Sequence, residues 1–337
     1  MKRFAHALFL AGFVLLLAMP VFAGGGGEGA AASRIDLVGG SMQPENHIYF
    51  RTTDKFRERL EANYKGSTPI SISLHHSGTL GTEKDAIEFM IQGTAVDFYV
   101  VAPAWAATWD KTAPIIEAPF LFKSVEQWKR CLEQGAMKPI EDNMIKTGVR
   151  FIGYGGGSSR NLISKIPAYT IADFPKIRLR VMGSPVHQKS FTATGFQATP
   201  LDYMEVYNAI KTGVIDGLEN ESAGFEANKF YEVAPYWILT NHVISTRLLC
   251  FSEKRLQSFP KDLQDAILKS GKEAAAWHIE TELAEQQEIV DRLVKNFGVK
   301  VIPFDNAEMR EKAMPVVLDY AKEIGADAVF AQIQAVN

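Results

Sequence analysis

Two α/β lobes facing each other across a cleft are the fold that this 337-residue sequence predicts. Three observations lead there. Strand and helix alternate from Ile35 to Val101, the same rhythm restarts at Phe151, and a proline-free stretch from Lys261 to Asn296 carries apolar residues near helical spacing.

Taken in order, a strand from Ile35 to Val38 leads through Gly39-Gly40-Ser41 into an amphipathic helix from about Tyr49 to Asn63. A second strand spans Ile70 to Leu74. Glu83 to Gln92 reads as a helix closed by Gly93, and Val96 to Val101 as a short strand bounded by Pro103. This βαβαβ order argues for an α/β lobe with parallel strands. From Phe151 the second lobe begins with a strand and a glycine-rich turn, FIGYGGGSSR, followed by the strand KIRLRV (Lys176 to Val181) and a helix from Pro185 to Thr194. A strand-like QATPL, a helix near Met204 to Thr212 and a turn through Gly213 into VIDGLEN complete the unit. Leu263, Ala266, Ile267, Ala274, Trp277, Leu283, Gln287 and Val290 then mark one long helix or two abutting ones. A single helix of that length would run on the order of 50 Å, enough to cross both lobes.

The first residues carry Lys2 and Arg3, an apolar stretch from about Ala7 to Ala18, Pro20 and the small-residue exit Val21-Phe22-Ala23, the pattern of a secretory signal peptide over 1–23. The apolar run falls short of the ~20 residues that cross a bilayer. A glycine-rich linker follows over 24–33. No cysteine stands at the exit, so no lipid anchor is expected and the mature chain is expected in the periplasm. Cys131 and Cys250 lack metal or redox spacing, and either a bridge or two buried thiols fits them. With 36 basic and 39 acidic residues the chain is near neutral, which gives no reason to invoke nucleic acid.

Candidate chemistry is thin. Gly155 to Arg160 lacks the Gly-Lys-Ser/Thr of a phosphate loop, the dinucleotide fingerprint and the nucleophile elbow, and reads as a flexible turn that positions Arg160. His75-His76, and His278 with Glu282 one helical turn on, form no two-ligand metal motif, so surface or packed histidines are expected. The carboxylates of Glu219 and Glu221 are read as pointing different ways, with no partner identifiable for acid–base work. No metal, cofactor or enzymatic activity is expected. In KIRLRV, Ile177, Leu179 and Val181 share one face and Lys176, Arg178 and Arg180 the other, which alone is an ordinary solvated strand face.

ADFPKIRLRVMGSPV, GFQATPLDYMEVYNAIKTGVIDGLEN and NKFYEVAPYWILTNH closely resemble the solute-binding proteins of tripartite ATP-independent periplasmic (TRAP) transporters. Upstream, SLHHSGTLGTEKDAIEFMIQGTAVDF and APFLF are similar to that family's segments, so the resemblance covers most of the mature chain. It implies a two-lobed periplasmic binding protein fold, type II-like, with a hinged cleft and a long helix spanning both lobes. The expected division is 34–157 plus about 246–285 for lobe I and 158–245 plus about 286–337 for lobe II.

The resemblance also implies an organic-acid ligand held by Arg180 at the end of KIRLRV, with Arg160 as a second arginine, Asn220 beside them and Tyr203 as a cleft-lining ring. Departures from the family pattern add Glu221 and Asp202 as acids able to accept from sugar hydroxyls, with Glu221 alternatively a surface residue. Met42, His47, Ala102 and Trp105 occupy first-lobe positions facing the ligand's far end, Trp105 as a stacking ring or a core residue. The implied partners are a small organic anion, with a sugar acid among the candidates, and the membrane permease subunits, with the protein a monomer. A sensor subunit presenting its ligand to a receptor, and an enzyme, are the alternative readings.

Overall fold

A computed structural model describes residues 34–336. The expected signal peptide and the linker lie outside the described residues. Among those described, no helix is long and apolar enough to cross a membrane.

One nine-stranded mixed sheet runs through the protein. Its strands are β1 (Ile35–Gly40), β2 (Ile70–His75), β3 (Phe98–Val101), β4 (Val149–Ser164), β5 (Arg178–Val181), β6 (Gln197–Pro200), β7 (Gly217–Asn220), β8 (Tyr236–Ser252) and β9 (Lys300–Pro303). They lie in the order β2-β1-β3-β8-β4-β7-β5-β6, with β9 also paired to β8. The expected parallel pairs are present at both ends: β1 with β2 and β3, and β5 with β6 and β7. Between them, β8 is antiparallel to β3 and β4, and β4 is antiparallel to β7. The two long strands therefore belong to both halves of the sheet.

The FIGYGGGSSR segment is not a turn: all ten residues lie inside β4. Gly156 (φ 109°) and Gly157 (φ 107°) adopt a backbone that side chains strain to reach, and the β4–β8 register shifts between Gly156 and Ser159. Up to Gly156 the strand pairs with β8 from Thr246 onward, and from Ser159 it pairs with Ile244 and earlier residues. Two other boundaries also move. β5 starts at Arg178 because Lys176 ends a 3-10 turn, and a 3-10 turn at Tyr203–Glu205 precedes the helix Val206–Thr212.

The long helix is a single element, Lys261–Phe297, of 37 residues. It crosses the first half of β4 at close range, where a Cβ at Gly153 would lie 2.5 Å from Ala275 Cβ and one at Gly271 would lie 2.6 Å from the Ile152 carbonyl oxygen. Leu263, Ile267 and Ala274 are buried as expected, whereas Gln287 faces outward. Farther along, the helix packs Ile289 and Leu293 against the core of Phe225 and Trp237.

Helices cover both faces of each half. Met42, Trp128 and Leu248 belong to the core on one face of the first half, and Phe56, Phe98 and Phe251 to the core on the other. Phe174, Leu179 and Phe191 fill one face of the second half, Ile163, Leu218 and Trp237 the opposite one. The helices Ala307–Ile324 and Asp327–Ala335 bridge the halves. Met309 and Ala313 pack with Phe174, while Val317, Tyr320 and Ile333 pack with Trp128 and Cys131, so the end of the chain does not lie wholly with the second half. Cys131 and Cys250 are separate buried thiols.

Candidate ligand-binding cleft

The ends of the parallel strands converge on one cavity. Met42 and Gln43 follow β1, Ala102 and Trp105 follow β3, Arg180 and Met182 end or follow β5, and Asn220 and Glu221 end or follow β7; all line it. Parallel strands present their carboxyl ends and the loops after them as a common rim, which is why residues far apart in sequence meet here.

Arg160 sits on the wall, 2 % exposed, with four of its five N–H groups occupied. Its Nε donates to Glu219 Oε2 at 2.6 Å, its Nη2 to Glu219 Oε1 at 3.0 Å and to the Glu219 carbonyl at 2.8 Å, and its Nη1 to Glu221 Oε2 at 2.5 Å. Glu219 and Glu221 thus do not diverge; two residues apart on an extended chain, they share a face and a partner. Glu221 is also not a surface residue, being 1 % exposed and accepting from the Tyr49 hydroxyl at 2.8 Å. Burial would raise its carboxyl, but Arg160 and Arg247 hold it below the ordinary range. For Arg160 burial acts to lower the guanidinium, and the two glutamates more than reverse that.

Arg180 is the opposite case. It is 1 % exposed, and its Nε donates to the Leu201 carbonyl at 2.8 Å, yet Nη2 has no hydrogen-bond partner and no carboxylate pairs with it among the described residues. Burial pushes this guanidinium down to about 10, with Glu219 and Tyr203 offsetting part of the effect. The Tyr203 ring lies 5.5 Å from the guanidinium carbon. Asn220 and Asn228 donate to the Tyr203 hydroxyl oxygen at 2.8 and 3.0 Å, which leaves its proton free to point at a ligand. Burial, then Glu221, keeps that phenol protonated.

The other two cations of KIRLRV are accounted for elsewhere. Arg178 forms a fork on Asp216 at 2.8 Å per arm, and Lys176 pairs with Asp173 at the surface. Asp202 is exposed and lines only the outer cleft, beside Lys84 and Glu205. His47 caps the helix Ile48–Asn63 by accepting from the Tyr49 amide; its Nε2 stands 3.8 Å from Glu221, and burial pushes the imidazole down to about 3, so it is neutral. His278 and Glu282 are buried and bonded to each other at 2.7 Å, with Thr52 on the other ring nitrogen and Ser158 on the carboxylate. Among the described residues no cluster could hold a metal ion.

Five cavity residues escaped the sequence reading: Gln43, Tyr49, Glu83, Met182 and Arg247. Arg247 in β8 donates to Tyr49 and Glu117, and Glu83 accepts from the Ala102 amide at 2.7 Å. A lone arginine inside the apolar run ISTRLLCF was the available signal for Arg247, because a charge in a doubly covered strand requires a buried partner. Tyr49 and Glu83 sat in helix starts that carry no such mark.

A strand-end cleft holding a buried guanidinium with no carboxylate partner among the described residues is suited to an anionic ligand. A model of the bacterial extracellular solute-binding protein family 7 matches residues 39–323, and the chain belongs to that family, the TRAP solute-binding proteins. A solute-binding protein of Sulfitobacter sp. strain NAS-14.1 is 38% identical over 301 residues, covering 89% of this chain and 91% of the relative. A TRAP periplasmic solute-binding protein from Sulfitobacter sp. NAS-14.1, solved with bound α-D-taluronate, superposes with a TM-score of 0.84 at 38% identity, covering 89% of this chain and 97% of that one. One from Chromohalobacter salexigens with bound D-glucuronate gives 0.83 at 25% identity, covering 89% and 100%.

Proposed function

We propose that this protein captures a six-carbon sugar acid in the periplasm, as a monomer, and hands it unchanged to the membrane subunits of a TRAP transporter. The unpaired guanidinium of Arg180 carries this reading. A carboxylate accepts two parallel N–H bonds from such a fork, and supplying that anion removes the cost of a buried cation left without a partner. Arg160, with one Nη1 proton left over, lies beside it as the second donor, and the Tyr203 hydroxyl and Asn220 complete the carboxylate end. Glu221, Met42 and Trp105 face the hydroxyl-bearing end, with Asp202 at the mouth. The uronates bound by the relatives have this chemistry, one carboxylate and a ring of hydroxyls.

The two halves of the sheet act as lobes in this reading, hinged where β4–β8 pairing is interrupted at Gly157 and Ser158. Export rests on the signal-peptide pattern of the first 23 residues.

Calorimetry with D-taluronate, D-glucuronate and D-galacturonate tests the proposal. Arg180→Ala is expected to weaken binding by at least about 2 kcal/mol, about thirtyfold in Kd, while the protein stays folded because no carboxylate is stranded. Arg178→Ala, whose partner is the outlying Asp216, is expected to leave affinity within about threefold. Equal losses in both variants would overturn the assignment of Arg180.

A further inference from the structure

Resting on that reading, we propose that Trp105, seated on the backbone of Gly183, is the wall that limits the ligand to a single sugar unit. Two cavities meet at this residue. The inner one holds Arg180; the outer one opens beside Lys84, Asp85 and Asp202. Only Met42, Glu83, Trp105 and Tyr203 line both, so these four side chains form the partition.

The four differ in how they are held. Glu83 is fixed by the Ala102 amide and Tyr203 by Asn220 and Asn228, while Met42 is buried in the core of the first half. The Trp105 indole makes no hydrogen bond among the described residues and is held by packing against Ala102, Ala104 and Met182. Its ring edge rests where a Cβ at Gly183 would stand 2.9 Å from Cζ3, so the absence of a side chain at 183 gives the ring its seat. Trp105 follows β3 and Gly183 follows β5, so this contact spans the cleft and stands between the inner and outer chambers.

A sugar acid with its carboxylate on Arg180 fits inside the wall; one extended by a further group meets the indole. Removing the ring joins the chambers, and adding a methyl group at 183 pushes the ring off its seat. The measurement is calorimetric titration of wild type, Trp105→Ala and Gly183→Ala with D-glucuronate, D-galacturonate, 4-nitrophenyl β-D-glucuronide and digalacturonate, with circular dichroism to show that each variant is folded. The first of the larger probes extends the acid at C1, the second at C1 or C4 according to which unit meets Arg180, and only the second adds charge.

Wild type is expected to bind a monomer about 100-fold more tightly than either extended probe, the scale of a steric exclusion. Trp105→Ala is expected to narrow that gap to about tenfold or less for at least one probe, and Gly183→Ala to move it in the same direction. Wild type binding an extended probe as tightly as the monomer, or both variants keeping the full gap, would overturn the wall. If wild type binds neither monomer, the sugar-acid reading falls first and takes this inference with it.

Discussion

Arg180 and Arg160 stand at one cavity as a cation waiting for an anion and a cation already neutralised. Their neighbour Glu83 shows the converse, a carboxyl with too little positive charge around it. Burial pushes it from 4.5 up to about 7, and the Ala102 amide, Arg247 and Arg180 offset only part of that, with Glu117 opposing them. The folded state therefore holds this proton more tightly than the unfolded chain does. That contribution to stability is complete below about pH 4.5 and is lost as pH rises through about 7. Relative to Glu83→Gln, wild type is expected to lose up to about 3 kcal/mol between about pH 5 and about pH 8 in urea unfolding. Parallel pH profiles for the two proteins would refute the buried, proton-holding Glu83. The arginine that matters was legible only through family order, since strand periodicity makes Lys176, Arg178 and Arg180 equivalent. What separates them is Asp173 and Asp216, partners whose positions depend on the folded chain.

Among elements, the helical stretch Lys261–Phe297 was readable, though not whether it was one helix or two, because its signal is local: no proline, one glycine and an apolar stripe. The glycines of β4 were misread for the complementary reason. A glycine run suggests a turn when only neighbours in sequence are considered. Here Gly153 and Gly155 lack side chains because Ala275 and His278 of the long helix occupy that space, and Gly156 because β8 passes within 2.2 Å of where its Cβ would be. Gly153→Ala is accordingly expected to force the helix outward and destabilise the protein by about 1–3 kcal/mol. An unchanged unfolding midpoint would show that the helix does not approach β4 so closely.

Across the whole molecule, the contacts that bridge the cleft include Tyr49 to Glu221 at 2.8 Å, Asn228 to Gln43 at 2.9 Å, and Trp105 on Gly183. They describe a shut form in which residues from both halves surround one cavity. If ligand binds that form preferentially, a sugar acid at about 100 times its Kd adds about 2.7 kcal/mol of stability and raises the melting temperature. X-ray scattering of the same samples is expected to show a smaller radius of gyration with ligand than without. A thermal shift without compaction would mean that closure precedes binding. The alternation of strands and helices forecast both halves, but the cavity between them depends on β4 and β8 passing from one to the other, a long-range pairing that periodicity does not encode.

The route of the chain also sets an order of assembly. β3 finds its neighbour on the inner side only in β8, and the core around Trp128 and Cys131 is closed by Val317, Tyr320 and Ile333, with the Gln127 side chain donating to the carbonyls of Ile333 and Val336. The half that is synthesised first is thus the last to be finished. A chain threaded across a membrane as proposed above would have no complete core to unravel until its final helix had emerged, so its topology itself would keep it fit for passage.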